Sequence, residues 1–189
     1  MAHHNRVARL MLTASAGVAL AGAARAEGVT YWQMADALYA VIEADRTVYT
    51  RNVVDRLQND EKVIKASEHW KDDKALPLPS QMLRMGAELV AQKNAGFTYS
   101  LQSIWPINKQ NAPKTPAEVA GLKAVAARPS VPYYTEETLG KTTYFTVVYA
   151  DRAISAACVT CHNRHRDSPR TDFKLGDVMG GVVLRIPMK

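Results

Sequence analysis

Cysteine is nearly absent. The 189 residues contain two, Cys158 and Cys161, so no disulfide framework holds this chain together. Long apolar runs are missing too: beyond the amino-terminal leader nothing approaches the ~20 apolar residues of a membrane-crossing helix. No later transmembrane segment is therefore expected. Charge of one sign is in small excess, a formal +6, and half of that surplus is Arg6, Arg9 and Arg25. The remainder is too slight to point to nucleic acid. Internal repeats and low-complexity tracts are absent, which excludes solenoid architectures.

What is present begins with an export signal. Arg6 and Arg9 form a basic start, Leu10 to Leu20 is a short apolar run, and Ala24-Arg25-Ala26 has the small-x-small form of a signal-peptidase site. Residues 1–26 are expected to be a cleaved signal peptide and the mature chain periplasmic. Removing 26 of 189 residues leaves 163, one domain by size, spanning 27–189.

Both cysteines stand in Cys158-Val159-Thr160-Cys161-His162, the pattern of c-type haem attachment. In a helix two cysteines three apart share a face, and each thiol can add to one porphyrin vinyl. His162 then offers a ring nitrogen as the proximal iron ligand. Three plainer readings compete. Zinc needs four ligands, and His162 and His165 are too close in sequence for finger spacing. A redox pair of the thioredoxin type requires a βαβ context that the pattern does not show. A disulfide across two intervening residues is strained.

Along the mature chain, apolar residues from Tyr31 to Lys65 recur at helical spacing, predicting one long or two consecutive amphipathic helices. They can pack on the chain's own sheet or on a second copy, giving a monomer or a homodimer. Trp70 to Ser80 is a polar connector broken by Pro77 and Pro79, with Ser80 expected to cap a helix that ends near Asn94-Ala95-Gly96. Thr98 to Trp105 alternates like a strand. Thr115-Pro116-Ala117-Glu118 is a helix start with cap, proline and reciprocal glutamate. Val131–Thr135 and Thr142–Ala150 predict a hairpin connected through Glu136 to Lys141, and Val182–Ile186 a last strand. Helices first and antiparallel strands later give the class α+β.

The carboxyl-terminal third carries a resemblance. Cys158 to Asn163, then Ser168-Pro169-Arg170, Asp172-Phe173-Lys174, Gly176-Asp177-Val178 and Gly180 resemble the bacterial c-type haem domain with a PAS-like fold. Leu101 to Asn108 and the helix from Thr115 match it more loosely. That family occurs alone in the periplasm and as the sensory part of kinases, chemoreceptors and cyclases. The resemblance implies a central antiparallel sheet with N-terminal helices and covalently attached haem c, with Cys158 and Cys161 as thioether residues and His162 as proximal ligand. It also places Ser168 to Asp177 around the porphyrin. Some members recruit a distal cysteine from the N-terminal helices, and this chain has no third cysteine.

Distal candidates are Met82 and Met85 on one helix face and His69 just before it, with Met34 and Met179 behind them. A plain core role competes for each methionine. Arg164, Arg166, Arg170 and Lys174 surround the motif; Arg170 and Lys174 are the chosen partners for haem propionates, and the group can also dock an acidic partner. No catalytic motif stands beside the haem pattern, so an enzyme is not expected. Single-electron transfer or redox buffering by a monohaem cytochrome is the first expectation, serving an unidentified redox partner. A haem-based sensor that signals through a partner protein is the alternative.

Overall fold

The computed structural model describes residues 28–189. The expected signal peptide, 1–26, lies outside them. Helix α1 (Tyr31–Val48) starts at Thr30, whose hydroxyl accepts the Gln33 amide, and runs without a break into a twelve-residue π-helix, Tyr49–Asp60. The consecutive-helix expectation is met, but the widened geometry is not readable from spacing; such segments are rare and collect at functional sites.

Two-residue strands β1 (Ala66–Ser67) and β2 (Leu76–Pro77) pair in parallel before α2 (Pro79–Gln92). Pro79 occupies the first turn instead of blocking the helix, because its missing N–H falls where none is needed. Ser80, expected as the cap, therefore lies inside α2. The Leu78 amide donates to Gln81 Oε1 at 2.9 Å in its place.

Strand β3 (Thr98–Gln102), α3 (Pro116–Ala127), β4 (Tyr133–Leu139), β5 (Thr142–Arg152), α4 (Ala156–Arg164) and β6 (Val178–Pro187) complete the chain. The four long strands form one antiparallel sheet in the order β3-β6-β5-β4. At α3 the expected reciprocal cap is present: Glu118 N donates to Thr115 Oγ1 at 3.2 Å and Thr115 N to Glu118 Oε2 at 3.0 Å. The hairpin turn is tighter than the sequence suggests. Leu139 pairs directly with Thr142, and Gly140 at φ +64° supplies the left-handed residue that a two-residue turn requires.

Both faces of the sheet are covered. On one, Leu38, Tyr39 and Ile42 of α1 pack with Ala35 on Val147, Tyr149, Leu184 and Ile186. On the other, Leu122 and Val125 of α3 pack on Val148 and Val183. The middle of β5, Thr146 to Tyr149, and most of β6 are accordingly buried continuously rather than at alternate residues. Asp36 Oδ1 accepts from both Tyr149 (2.7 Å) and Tyr134 (2.9 Å), fixing α1 across β5 and β4. Trp32, Met34, Val41 and Val48 remain exposed on the outer side of α1. No helix among the described residues is long and apolar enough to cross a membrane.

Candidate functional site

Helix α4 lies in the connection between β5 and β6, at the end of the sheet. Ser155 starts it, its hydroxyl accepting the Ala157 amide at 3.0 Å. A third apolar cluster of Ala153, Phe173 and Met179, with Trp105, Cys158 and Val159 against it, seats the helix at the ends of the central strands. The following loop is pinned to it: Asn163 donates to the Phe173 carbonyl and accepts the Phe173 amide, both at 2.9 Å. Phe173 then meets the His162 ring edge-on, with centroids 5.9 Å apart.

Cys158, Cys161 and His162 occupy positions i, i+3 and i+4 of α4 and therefore share a face. All three line one cleft of about 220 Å³. A second stripe from the amino-terminal helices enters the same cleft at every fourth residue: Arg46, Thr50, Val54 and Gln58. Gln102, Ser103, Met179 and Gly180 line it from the ends of β3 and β6. Gly180 is needed for that crossing, because a Cβ there would stand 2.4 Å from the Gln102 carbonyl oxygen.

The polar chemistry of the cleft is unusual. Among the described residues three buried side-chain polar atoms have no hydrogen-bond partner: Arg46 Nε, Gln102 Oε1 and His162 Nδ1. Each belongs to a residue lining this cleft. Buried polar groups are almost always paired, so three orphans at one place mark a surface built to meet something else. Arg46 is held by Asp151, Nη2 to Oδ2 at 2.7 Å, with both side chains nearly buried. Asp151 is turned there by an irregularity in the β5–β6 register between Asp151 and Arg152. Burial lowers the His162 pKa, with the Arg46 charge acting in the same direction and Asp151 opposing. The neutral imidazole, the form that ligates a metal, is thereby favoured.

A family model described as Tll0287-like: Tll0287 matches residues 28–187. The chain belongs to the Tll0287-like family. Among solved structures it is similar to the crystal structure of the cyanobacterial heme-protein Tll0287, with a TM-score of 0.53 and 14% identity over 85% of this chain and 98% of that one. At that identity the likeness speaks for a shared fold. No curated protein matches the chain.

In this Tll0287-like chain the sequence candidates separate into two groups. Cys158, Cys161 and His162 converge on the cleft, as does Met179. Met82 and Met85 lie on α2, His69 is exposed in the connector before it, and none of the three lines the cleft. Met34 is exposed on α1. Arg170 is engaged outside it, 2.6 Å from Asp172 and 3.5 Å from Asp177, with its guanidinium over the Phe173 ring at 4.4 Å. Lys174 is exposed, and its backbone amide donates to Asp177.

Sequence reading missed Arg46, Thr50, Gln58 and Gln102. Arg46 passes there as an ordinary charge between apolar positions of an amphipathic helix. The four-residue step of 46, 50, 54 and 58 is present in the sequence, yet its mixed polarity hides it from a search for apolar stripes. Among the described residues no three His, Cys, Asp or Glu side chains converge as a metal-binding group.

Proposed function

We propose that this chain is an exported monohaem protein of the c type, with haem attached through Cys158 and Cys161 and His162 as its iron ligand. The observation that carries the reading is the coincidence of that ligand face with the three unpartnered buried polar atoms in one cleft. The residues fit the group: two thiols on one helical face, an imidazole held neutral, apolar contact from Val54 and Met179, and an arginine for a carboxylate or other anion. A cleft of about 220 Å³ is smaller than the usual ~300–1,000 Å³ of an enclosed small-molecule pocket. A macrocycle held by Cys158, Cys161 and His162 would stay partly outside this cleft or need its two walls to part.

Attachment is redox-neutral. Cys158 and Cys161 would hold the group through thioether bonds, each thiol adding its sulfur and its proton across one vinyl double bond. When bound, haem supplies a one-electron Fe(III)/Fe(II) couple. The chain's own part is positional. Asn163 and Phe173 orient the His162 ring, Ser155 starts the helix that presents it, and Cys158 is backed by the Phe173–Met179 cluster. The resemblance to PAS-like haem domains and the membership of a family typified by a heme-protein support the same reading.

Of the two uses, sensing gains from one specific observation. The cleft wall Arg46 to Gln58 is part of the amino-terminal helices, so a change in the cleft bears directly on an element that spans the sheet. Electron transfer to a soluble partner is the second use. The test is periplasmic expression and purification, then absorption spectra of the oxidised, dithionite-reduced and carbon monoxide-treated protein. Haem that survives denaturing electrophoresis and is lost in Cys158→Ala plus Cys161→Ala supports attachment; its absence from the parent chain removes the proposal. A carbon monoxide shift favours sensing, and sharp reduced bands indifferent to it favour electron transfer.

A further inference from the structure

Resting on the haem reading above, the side chains of the cleft can be sorted by what they offer an iron atom. Once the two cysteines are thioethers, the strong donors among the lining residues are His162 and Met179. Met179 is buried in the cluster that seats α4, against Cys158 and Val159, and so belongs to the structure supporting His162. Of the carboxylates, Asp151 is engaged by Arg46, and Glu68, half exposed, lies 3.3 Å from the His165 ring. The stripe contributed by the amino-terminal helices contains an arginine, a threonine, a valine and a glutamine. None is an imidazole, thiolate or thioether, the side chains that hold haem iron strongly.

Arg46 is the one lysine or arginine in this lining. Its Nη2 is fixed by Asp151 at 2.7 Å and its Nη1 is 3.4 Å from Thr50 Oγ1, so the guanidinium plane is set. Of its five N–H donors these bonds use two, and Nε–H is buried without a partner. A rigid cation with an unsatisfied donor, in a cleft whose other strong donor among the described residues, Met179, is committed to the cluster behind α4, has the properties of an anion-holding group.

We propose that the iron position not taken by His162 is left open to a small exogenous monoanion, and that Arg46 holds that anion through its free Nε–H. Arg46 acts as a binding residue and Asp151 as the positioning residue that fixes the guanidinium. The ligand class is that of azide or cyanide: monoanions with one end for the metal and one for a hydrogen bond.

The experiment uses the purified ferric holoprotein and azide. Covalent haem is first quantified by denaturing gel and mass; its absence defeats the haem reading itself, an outcome distinct from any failure of anion binding. With haem retained, the expected result is a high-spin spectrum, by absorption and electron paramagnetic resonance, that azide shifts with a saturable dissociation constant. Arg46→Gln is expected to weaken azide about 10- to 100-fold, as for loss of a hydrogen bond to a charged group. Because that variant strips Asp151 of its partner, the Arg46→Gln/Asp151→Asn pair is tested beside it and is expected to show the same loss. A low-spin ferric spectrum that azide does not change overturns the open position. Azide affinity unaltered in both folded variants overturns the role of Arg46.

Discussion

Arg185 on the α3 face of the sheet and Arg46 beside the cleft are both partly buried arginines with carboxylate partners, and they differ in how fully they are satisfied. Arg185 donates Nε to Glu137 and Nη2 to Glu118, each at 2.7 Å. Glu118 also takes Gln102 Nε2 at 2.7 Å and the amides of Lys114 and Thr115, while Glu137 takes the Thr146 hydroxyl. Arg46 has one strong partner and an orphaned Nε. A network whose members are nearly all paired holds a fold in one state. A pair with a spare donor has hydrogen-bonding capacity left over. Gln102 joins the two regions: its amide nitrogen serves Glu118, and its oxygen is left over in the cleft.

The comparison breaks first at Arg185. Replacing it by leucine leaves Glu118 and Glu137 without their cation and is expected to cost about 3–5 kcal/mol, the usual penalty for breaking a buried pair. Arg46→Leu is expected to cost less, about 1–3 kcal/mol, because Asp151 retains access to the cleft. Urea denaturation of both variants measures the difference. Equal losses would mean that Arg46 is as structural as Arg185 and that the cleft is not a site set apart.

Acidification sharpens the same contrast. Burial drives the Glu118 carboxyl upward, but its hydrogen bonds from Gln102, the Lys114 and Thr115 amides and Arg185 prevail and hold it below the usual carboxylate range. With a depressed folded pKa, its contribution is complete above the unfolded value of about 4.3 and is lost as pH falls through the folded value. Stability is therefore expected to fall on acidification below about pH 4.3. Glu118→Gln is expected to be about 1–3 kcal/mol less stable at neutral pH and to show a flatter acid limb. Denaturation midpoints from pH 7 down to 3 test it.

These regions are unequally legible in the sequence. Thr115 to Glu118 announces a helix start because capping is local, fixed by residues three apart, and the structure has it. The same glutamate's link to Arg185, 67 positions away, leaves no local trace. The motif face of α4 can be read because one helix carries it. The opposite stripe cannot, since nothing in the order of residues says that Arg46 meets Asp151 across 105 positions at a strand irregularity. Ser80 misleads for a local reason: proline at the first helical position looks like a barrier when it is a preferred opening.

A smaller effect is expected at Asn163, whose side chain closes two hydrogen bonds with the Phe173 backbone. Asn163→Ala is expected to cost about 1–2 kcal/mol by denaturation. It should also loosen the ring contact between Phe173 and His162, broadening the haem absorption of the holoprotein. A stability loss with an unchanged spectrum would confine Asn163 to the loop.

The smallest effects separate Arg170 from Lys174, residues that the sequence presents alike as propionate partners. Arg170 lies over Phe173 and Trp105, at 4.4 and 5.0 Å from the ring centroids, so Arg170→Lys gives up a planar stack and is expected to cost about 0.5–1 kcal/mol. Lys174 offers no such contact; what it gives is a backbone amide to Asp177, which any residue but proline supplies. Lys174→Gln is therefore expected to change stability by less than about 0.5 kcal/mol. It should also leave haem retention untouched. If instead Lys174→Gln lowers haem retention, the loop from Ser168 to Asp177 contributes to holding the haem, as the resemblance implies.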